Sequence, residues 1–194
     1  MQRLVVSEFI SVDGVMEDPG GSEKWERGGW VDQFDRGDEG DKFKLDEVMA
    51  AGALLLGRKT YQGFAEAWPS RTDETGFADK MNSMPKYVVS NTLQNPGWNN
   101  TRVIGGDFLA KVSELKEQGD GELLVAGSCQ LVHALVENNL VDELRLMVFP
   151  VVLGMGLRLF SDSPHSWPFR LLESRAVGPE GVLVVRYEPK LQKS

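Results

Sequence analysis

Two cations and a hydroxyl follow directly on an apolar run in this chain. Residues 53–57 read Ala-Leu-Leu-Leu-Gly and lead straight into Arg58, Lys59 and Thr60. If a helix starts here, its first amides are free and its dipole end is positive, an arrangement that suits an anion. Gly57 lets a phosphate approach the backbone, and Arg58 and Lys59 add charge. A second junction, Val125 to Leu131, places the small residues Ala126, Gly127 and Ser128 after another apolar run, followed by Cys129, Gln130 and Leu131. A third, Ser90-Asn91-Thr92, ends a run of Tyr87, Val88 and Val89 in polar side chains. Open α/β sheets bind ligands at the C-terminal ends of their strands. Three such ends are the footprint expected of a dinucleotide. Neither a G-x-G-x-x-G nor a Walker motif is present, and a glycine after a strand is also an ordinary turn. The weight therefore rests on the three junctions together.

A rival chemistry uses Cys129 and His133, which are four apart and share a helix face. A thiolate beside a base would suggest a hydrolase or transferase, but no third residue completes the arrangement. One cysteine and two histidines make a poor metal site, so no metal is expected. One cysteine also forms no internal disulfide, in keeping with a cytoplasmic location. The formal charge of −8 argues against general nucleic-acid binding, where phosphate neutralisation dominates affinity. Any anion site must be local. The N-terminus does not read as a signal peptide, and no apolar stretch approaches the eighteen or so residues of a spanning helix, so no membrane role is expected.

The elements that would hold these residues follow from the pattern of apolar positions. Residues 4–12 read as a strand ending at Asp13-Gly14, followed by a long glycine-rich loop carrying Trp25 and Trp30. A helix is expected over 41–51, with Leu45, Val48 and Met49 on one side. A short buried strand is expected over 53–57 and a helix from Arg58 into Pro69. Strands are expected at 86–92, 101–106 and 122–127. Helices follow from the Asp107 N-cap and from Ser128. After residue 140 strands follow strands, a long one over 142–154 and then a hairpin turning at 178–181. The expectation is one α/β domain over residues 1–194. Its sheet would be mixed and mostly parallel, covered on both faces, with an antiparallel C-terminal edge. The 142–154 strand, if at an edge, would need cover, for which a symmetric homodimer is the natural solution.

The motifs SEFISVDGVM, LLLGRKTYQGF, PKYVVSNTL and LLVAGSCQLVHALVENNLVDELRLMVFPVVLGMGLRLF, in this order and spacing, resemble the dihydrofolate reductase-like superfamily. Within it the chain is similar to the reductase (C-terminal) domain of the bifunctional deaminase-reductase of bacterial riboflavin biosynthesis, in a stand-alone form. The resemblance implies a three-layer αβα fold, a homodimer, and an NADPH-dependent oxidoreductase acting on a small-molecule substrate. It places Phe9, Ser11, Asp13 and Met16 near the nicotinamide, and Gly57, Arg58, Lys59 and Thr60 at phosphates. Ser90 and Asn91 would lie on the adenosine side. Ala126, Gly127, Ser128, Cys129, Gln130 and Leu131 would lie under the pyrophosphate and nicotinamide ribose. Related enzymes often carry Arg where this chain has Asn91, which leaves selectivity for the 2′-phosphate to Arg58 and Lys59.

The implied reaction resembles reduction of 5-amino-6-(5-phosphoribosylamino)uracil, a hydride transfer to a heterocyclic or ribosylamino carbon. A dihydrofolate- or pteridine-type reductase and a nucleotide-binding module without turnover stand as alternatives. The proton source is open. Asp32 and Asp35 are candidates by analogy with the acid that folate reductases carry on the helix after the first loop, and both also read as solvated helix acids. Asp13 is a candidate that also reads as a turn residue. Trp25 and Trp30 either line the pocket of a flat substrate or pin the loop to the sheet. Arg71 and Arg158 are candidate partners for a substrate phosphate.

Overall fold

The computed structural model describes residues 1–160 and 162–190. Its eight strands are β1 (Arg3–Ser11), β2 (Ala51–Gly57), β3 (Lys86–Val89), β4 (Thr101–Ile104), β5 (Glu122–Val125), β6 (Glu143–Phe149), β7 (Phe169–Val177) and β8 (Val182–Pro189). They form one sheet in the order β4-β3-β2-β5-β1-β6-β8-β7. The first six are parallel, and β8 and β7 run antiparallel at one side.

The central strands are apolar at consecutive positions because both faces are covered. Ala53, Leu55, Leu123 and Val125 point to one face, where they pack with Val112, Leu131, Val132 and Leu135. Those partners belong to helices α4 (Phe108–Gln118) and α5 (Cys129–Glu137). Leu54, Leu56 and Leu124 point to the other face and meet Val48, Tyr61 and Met81. These come from α1 (Gly37–Ala50), α2 (Arg58–Ala67) and α3 (Phe77–Ser83). The result is the three-layer arrangement that the sequence suggests. No helix among the described residues is long and apolar enough to cross a membrane.

Several expectations shift. The predicted strand over 142–154 stops at Phe149, because Pro150 has no amide for the ladder. This strand is not an edge: β6 lies between β1 and β8. An exposed edge at β6 therefore gives no reason for a dimer. Exposed apolar side chains lie instead past the end of β6, at Val152, Met155, Leu157 and Phe160, and on the terminal hairpin, at Leu171, Leu172 and Leu183. Helix α1 begins at Gly37 rather than 41 and turns differently from its predicted face, for Val48 is buried while Met49 is 41% exposed. Helix α3, absent from the sequence reading, starts where Asp73 accepts the amides of Phe77 and Ala78. Lys86 is fully buried, yet its ammonium donates to the carbonyls of Asn82, Met84 and Asn99 and lies over Trp98, tying α3 to β3.

Candidate functional site

The parallel strands all end at one edge of the sheet, and the layers diverge there. After β5 the chain goes to the α4/α5 face, whereas the helices following β1 and β2 lie on the other. Neighbouring strands whose connections leave to opposite faces open a crevice at their C-terminal ends. The pairing registers show where it opens. Strand β5 is paired with β1 only as far as Val6↔Val125, while β1 continues beside β6 to Ser11↔Phe149.

Two of the three predicted junctions meet at this opening. The Gly57 amide donates to the Gly127 carbonyl at 3.1 Å, so the ends of β2 and β5 are stitched together. A Cβ on Gly57 would stand 2.1 Å from Ser128 Oγ, and one on Gly127 would stand 2.7 Å from Thr60 Oγ1. Neither junction has room for a side chain, which keeps the backbone bare toward the crevice. The Gly127–Ser128 peptide bond is cis. The helices that start here, α2 and α5, have no side-chain cap. By contrast Asp107 caps α4 and Asp73 occupies the first amides of α3. Two open helix N-termini side by side, one on each face, present free amides and two positive dipole ends to one place. Arg58 and Lys59 are exposed beside them. Lys59 lies 3.7 Å from Glu23, which brings the long loop over the start of α2.

The third junction is an adjacent strand end whose side chains hold the loops. Ser90 accepts the amides of Thr92 and Leu93, and Asn91 accepts the Gly106 amide, linking the ends of β3 and β4. Gln130 is exposed, and Leu131 packs in the core rather than facing the crevice.

On β1, Phe9 packs edge-on against Phe149. Ser11 is fully buried, donating to Asp13 and accepting from the Val15 amide. Met16 is buried as well. The Asp13 carboxylate accepts from the amides of Leu153 and Gly154. Burial works to raise its pKa, but the hydrogen bonds from Ser11, Leu153 and Gly154 outweigh burial and hold it at about 2. It is an ionised loop clamp, unsuited to donating a proton near neutrality. Asp32 and Asp35 are exposed, and Asp35 lies against the β7–β8 turn, its amide donating to Glu180. Asp32 sits on the surface of the short helical turn that begins at Trp30. Trp30 is fully buried against Phe149, with its indole N–H on the Glu17 carbonyl, so it pins the loop rather than lining a pocket. Trp25 is half-buried beside Val15 and Gly156. Arg71 stacks on Trp68, and Arg158 donates to the Asp13 carbonyl.

The thiol rival fails on geometry. His133 Nε2 lies 2.9 Å from the Arg158 carbonyl, which can only accept, so this nitrogen carries the proton and offers no lone pair to the Cys129 sulfur 3.4 Å away. Burial, together with Glu8 and Glu17, pushes the thiol up to about 11.

What the sequence reading missed lies on α1. Lys44 and Glu47 project onto β1, where Lys44 Nζ is 2.6 Å from Glu47 Oε2 and 2.7 Å from Ser7 Oγ, and Ser7 donates to Glu47 at 2.9 Å. Lys44 also lies over the Phe9 ring. Glu47 is buried, and its second oxygen, Oε1, has no partner among the described residues. A buried carboxylate oxygen without a donor is costly, and Lys44 and Ser7 offset that cost at the other oxygen. Ser7 stands one residue past the last β1–β5 pair, which puts this cluster at the head of the crevice on the α1 face. A lysine three residues before a glutamate reads as a surface ion pair, so composition alone gives no signal for it.

Among known proteins, a family model for the RibD C-terminal domain matches residues 2–183. The uncharacterized protein YyaP of Bacillus subtilis (strain 168) is 27% identical over 189 residues, 96% of this chain and 94% of its own length. A Shewanella sp. PV-4 protein, provisionally assigned to riboflavin biosynthesis, superposes with a TM-score of 0.77 at 20% identity, covering 98% of this chain and all of its own. The Thermotoga maritima diaminohydroxyphosphoribosylaminopyrimidine deaminase/5-amino-6-(5-phosphoribosylamino)uracil reductase gives 0.67 at 15% identity, over 97% of this chain and 57% of that one. Enterococcus faecalis dihydrofolate reductase, complexed with NADP(H), gives 0.60 at 12% identity, covering 96% of each. These likenesses establish a dihydrofolate reductase-like α/β fold.

Proposed function

The chain belongs to the RibD C-terminal domain family, and from that footing we propose that it is a reductase that takes NADPH in preference to NADH. The observation that carries this reading is the pair of uncapped helix N-termini stitched together through Gly57 and Gly127. Their amides and dipoles favour a pyrophosphate, and a side chain at either glycine would collide with the facing junction, at Ser128 or at Thr60, and push the two apart. Arg58 and Lys59 supply the local charge for a 2′-phosphate in a chain that is otherwise strongly acidic.

When bound, NADPH supplies a hydride. The protein's own residues then have three tasks. The Gly127–Ser128 junction and Thr60 fix the cofactor against the β2–β5 edge. Phe9 and the long loop shield the crevice from water. Lys44, held by Ser7 and Glu47, donates the proton that accompanies hydride transfer to a carbonyl or imine carbon, and it is regained from solvent through the partly exposed ammonium. The substrate is a small heterocycle or ribosylamino compound of the type represented by 5-amino-6-(5-phosphoribosylamino)uracil.

The test is NADPH oxidation followed by absorbance with that deaminated pyrimidine and with dihydrofolate. Turnover of the pyrimidine that falls 100-fold or more in Lys44→Met, with NADPH affinity unchanged, supports the assignment. Oxidation of NADPH that is equally fast in Lys44→Met refutes the role of Lys44.

A further inference from the structure

The strands β1 and β5 part after Val6↔Val125, and at that point a side chain replaces the ladder. The Gly127 amide, which has no strand partner left, donates to Glu8 Oε1 at 2.6 Å. Glu8 points to the α5 side, is 9% exposed, and bridges the crevice at the level of the cofactor cradle. We propose that Glu8 is a positioning residue that holds the Gly127–Ser128 junction in shape for the cofactor in its neutral form, so that NADPH uptake is coupled to a proton. This rests on the NADPH reading above.

The surroundings favour the neutral acid. Burial is the largest influence and raises the carboxyl's pKa to about 8, against the opposing Gly127 hydrogen bond and Lys44, with Glu47 adding to the rise. Lys44 and Glu47 of α1 act on it from the opposite face of β1, while on its own side lies the Cys129 thiol of α5, on which Glu17 of the long loop also acts. A dinucleotide brings its pyrophosphate and 2′-phosphate charges to this edge and removes more water, and both penalise an ionised Glu8. The neutral form keeps the acceptor for Gly127 and adds no charge. Binding then takes up a proton wherever the free protein has lost it.

The experiment titrates NADPH against the intact protein by tryptophan quenching from pH 7 to 9.5, in wild type, Glu8→Gln and Glu8→Ala. Calorimetry at pH 8 in buffers of different ionisation enthalpy counts the protons. The wild-type Kd is expected to rise about tenfold between pH 7 and 9, by linkage to a single group with a pKa near 8. Uptake at pH 8 is expected to be roughly half a proton, because the group is half ionised there. Glu8→Gln keeps an oxygen for Gly127, so it is expected to match wild type at pH 7 and to show neither the slope nor the uptake. Glu8→Ala weakens binding at every pH. Wild type and Glu8→Gln sharing one slope, or a wild type that binds NADPH with no slope and no proton uptake, would overturn the inference and leave the cofactor reading standing. No NADPH binding by wild type at any pH would overturn both.

Discussion

Replacing Gly57 by alanine tests the cradle at its tightest point. The new methyl would meet Ser128 Oγ at 2.1 Å, Ser128 Cβ at 2.8 Å and the Ser128 amide nitrogen at 2.9 Å. Non-bonded contact is comfortable only from about 3.5 Å. The hydroxyl can rotate away, but the nitrogen is backbone, and relieving it moves the Gly127–Ser128 junction by about half an ångström. Overpacking of this kind costs roughly 1–3 kcal/mol, which for a chain of this size lowers Tm by roughly 2–12 °C. The displacement also pulls the Gly127 carbonyl from the Gly57 amide and moves the α5 amides off a bound phosphate. Loss of one charge-assisted hydrogen bond, about 1.5–3 kcal/mol, weakens NADPH binding roughly 10- to 150-fold. Scanning fluorimetry reads the first effect and tryptophan quenching the second. Adding Ser128→Gly removes the Oγ and Cβ contacts but leaves the backbone nitrogen in place, so the double variant should recover only part of the lost Tm. A Gly57→Ala protein with wild-type Tm and affinity would refute the packing argument.

Two further outcomes follow from the same geometry. Asp13 has its folded pKa lowered from 3.8 to about 2, so its contribution to stability is present above pH 4 and is lost as pH falls through 2. Asp13→Asn should therefore cost about 1–2 kcal/mol in denaturant titrations at pH 6, discounted for the partial exposure of the carboxylate, and the gap from wild type should close near pH 2. A gap that persists at pH 2 contradicts the clamp. Cys129, buried with its thiol held near 11, should label with iodoacetamide at pH 8 at least about 100-fold more slowly than a free thiol. Rapid labelling of the folded protein would restore the thiol–imidazole reading.

The two glycine junctions of the candidate site were legible because their pattern is local. A glycine, small residues and cations placed after an apolar run are visible wherever the sheet brings them, and the fold juxtaposes two of the three junctions, at Gly57 and Gly127, while the third holds the ends of β3 and β4. The proposed acid–base half was not legible, because it depends on tertiary placement. Glu8 looks like an interruption in an apolar strand, and only the parting of β1 from β5 gives its carboxyl a partner. Lys44 and Glu47 look solvated, and the helix phase that buries Val48 and exposes Met49 also turns Glu47 inward. Asp32 and Asp35 drew attention through position in the chain, but the fold leaves both on the surface. Trp30 shows the same limit: its composition suits a pocket or a core equally, and its complete burial decides for the core. The overlong β6 came from reading apolar residues through Pro150, whose missing amide ends the ladder.

The central claim is that the junction beginning at Gly57 holds the phosphates of NADPH. The most direct measurement is a titration of the purified protein with NADPH and with NADH by tryptophan quenching, repeated with Arg58→Ala and Lys59→Ala. NADPH should bind the wild type at least tenfold more tightly than NADH, and the two variants should lose that preference while NADH affinity changes little. No binding of either nucleotide, or an NADPH preference that survives both substitutions, would contradict the account.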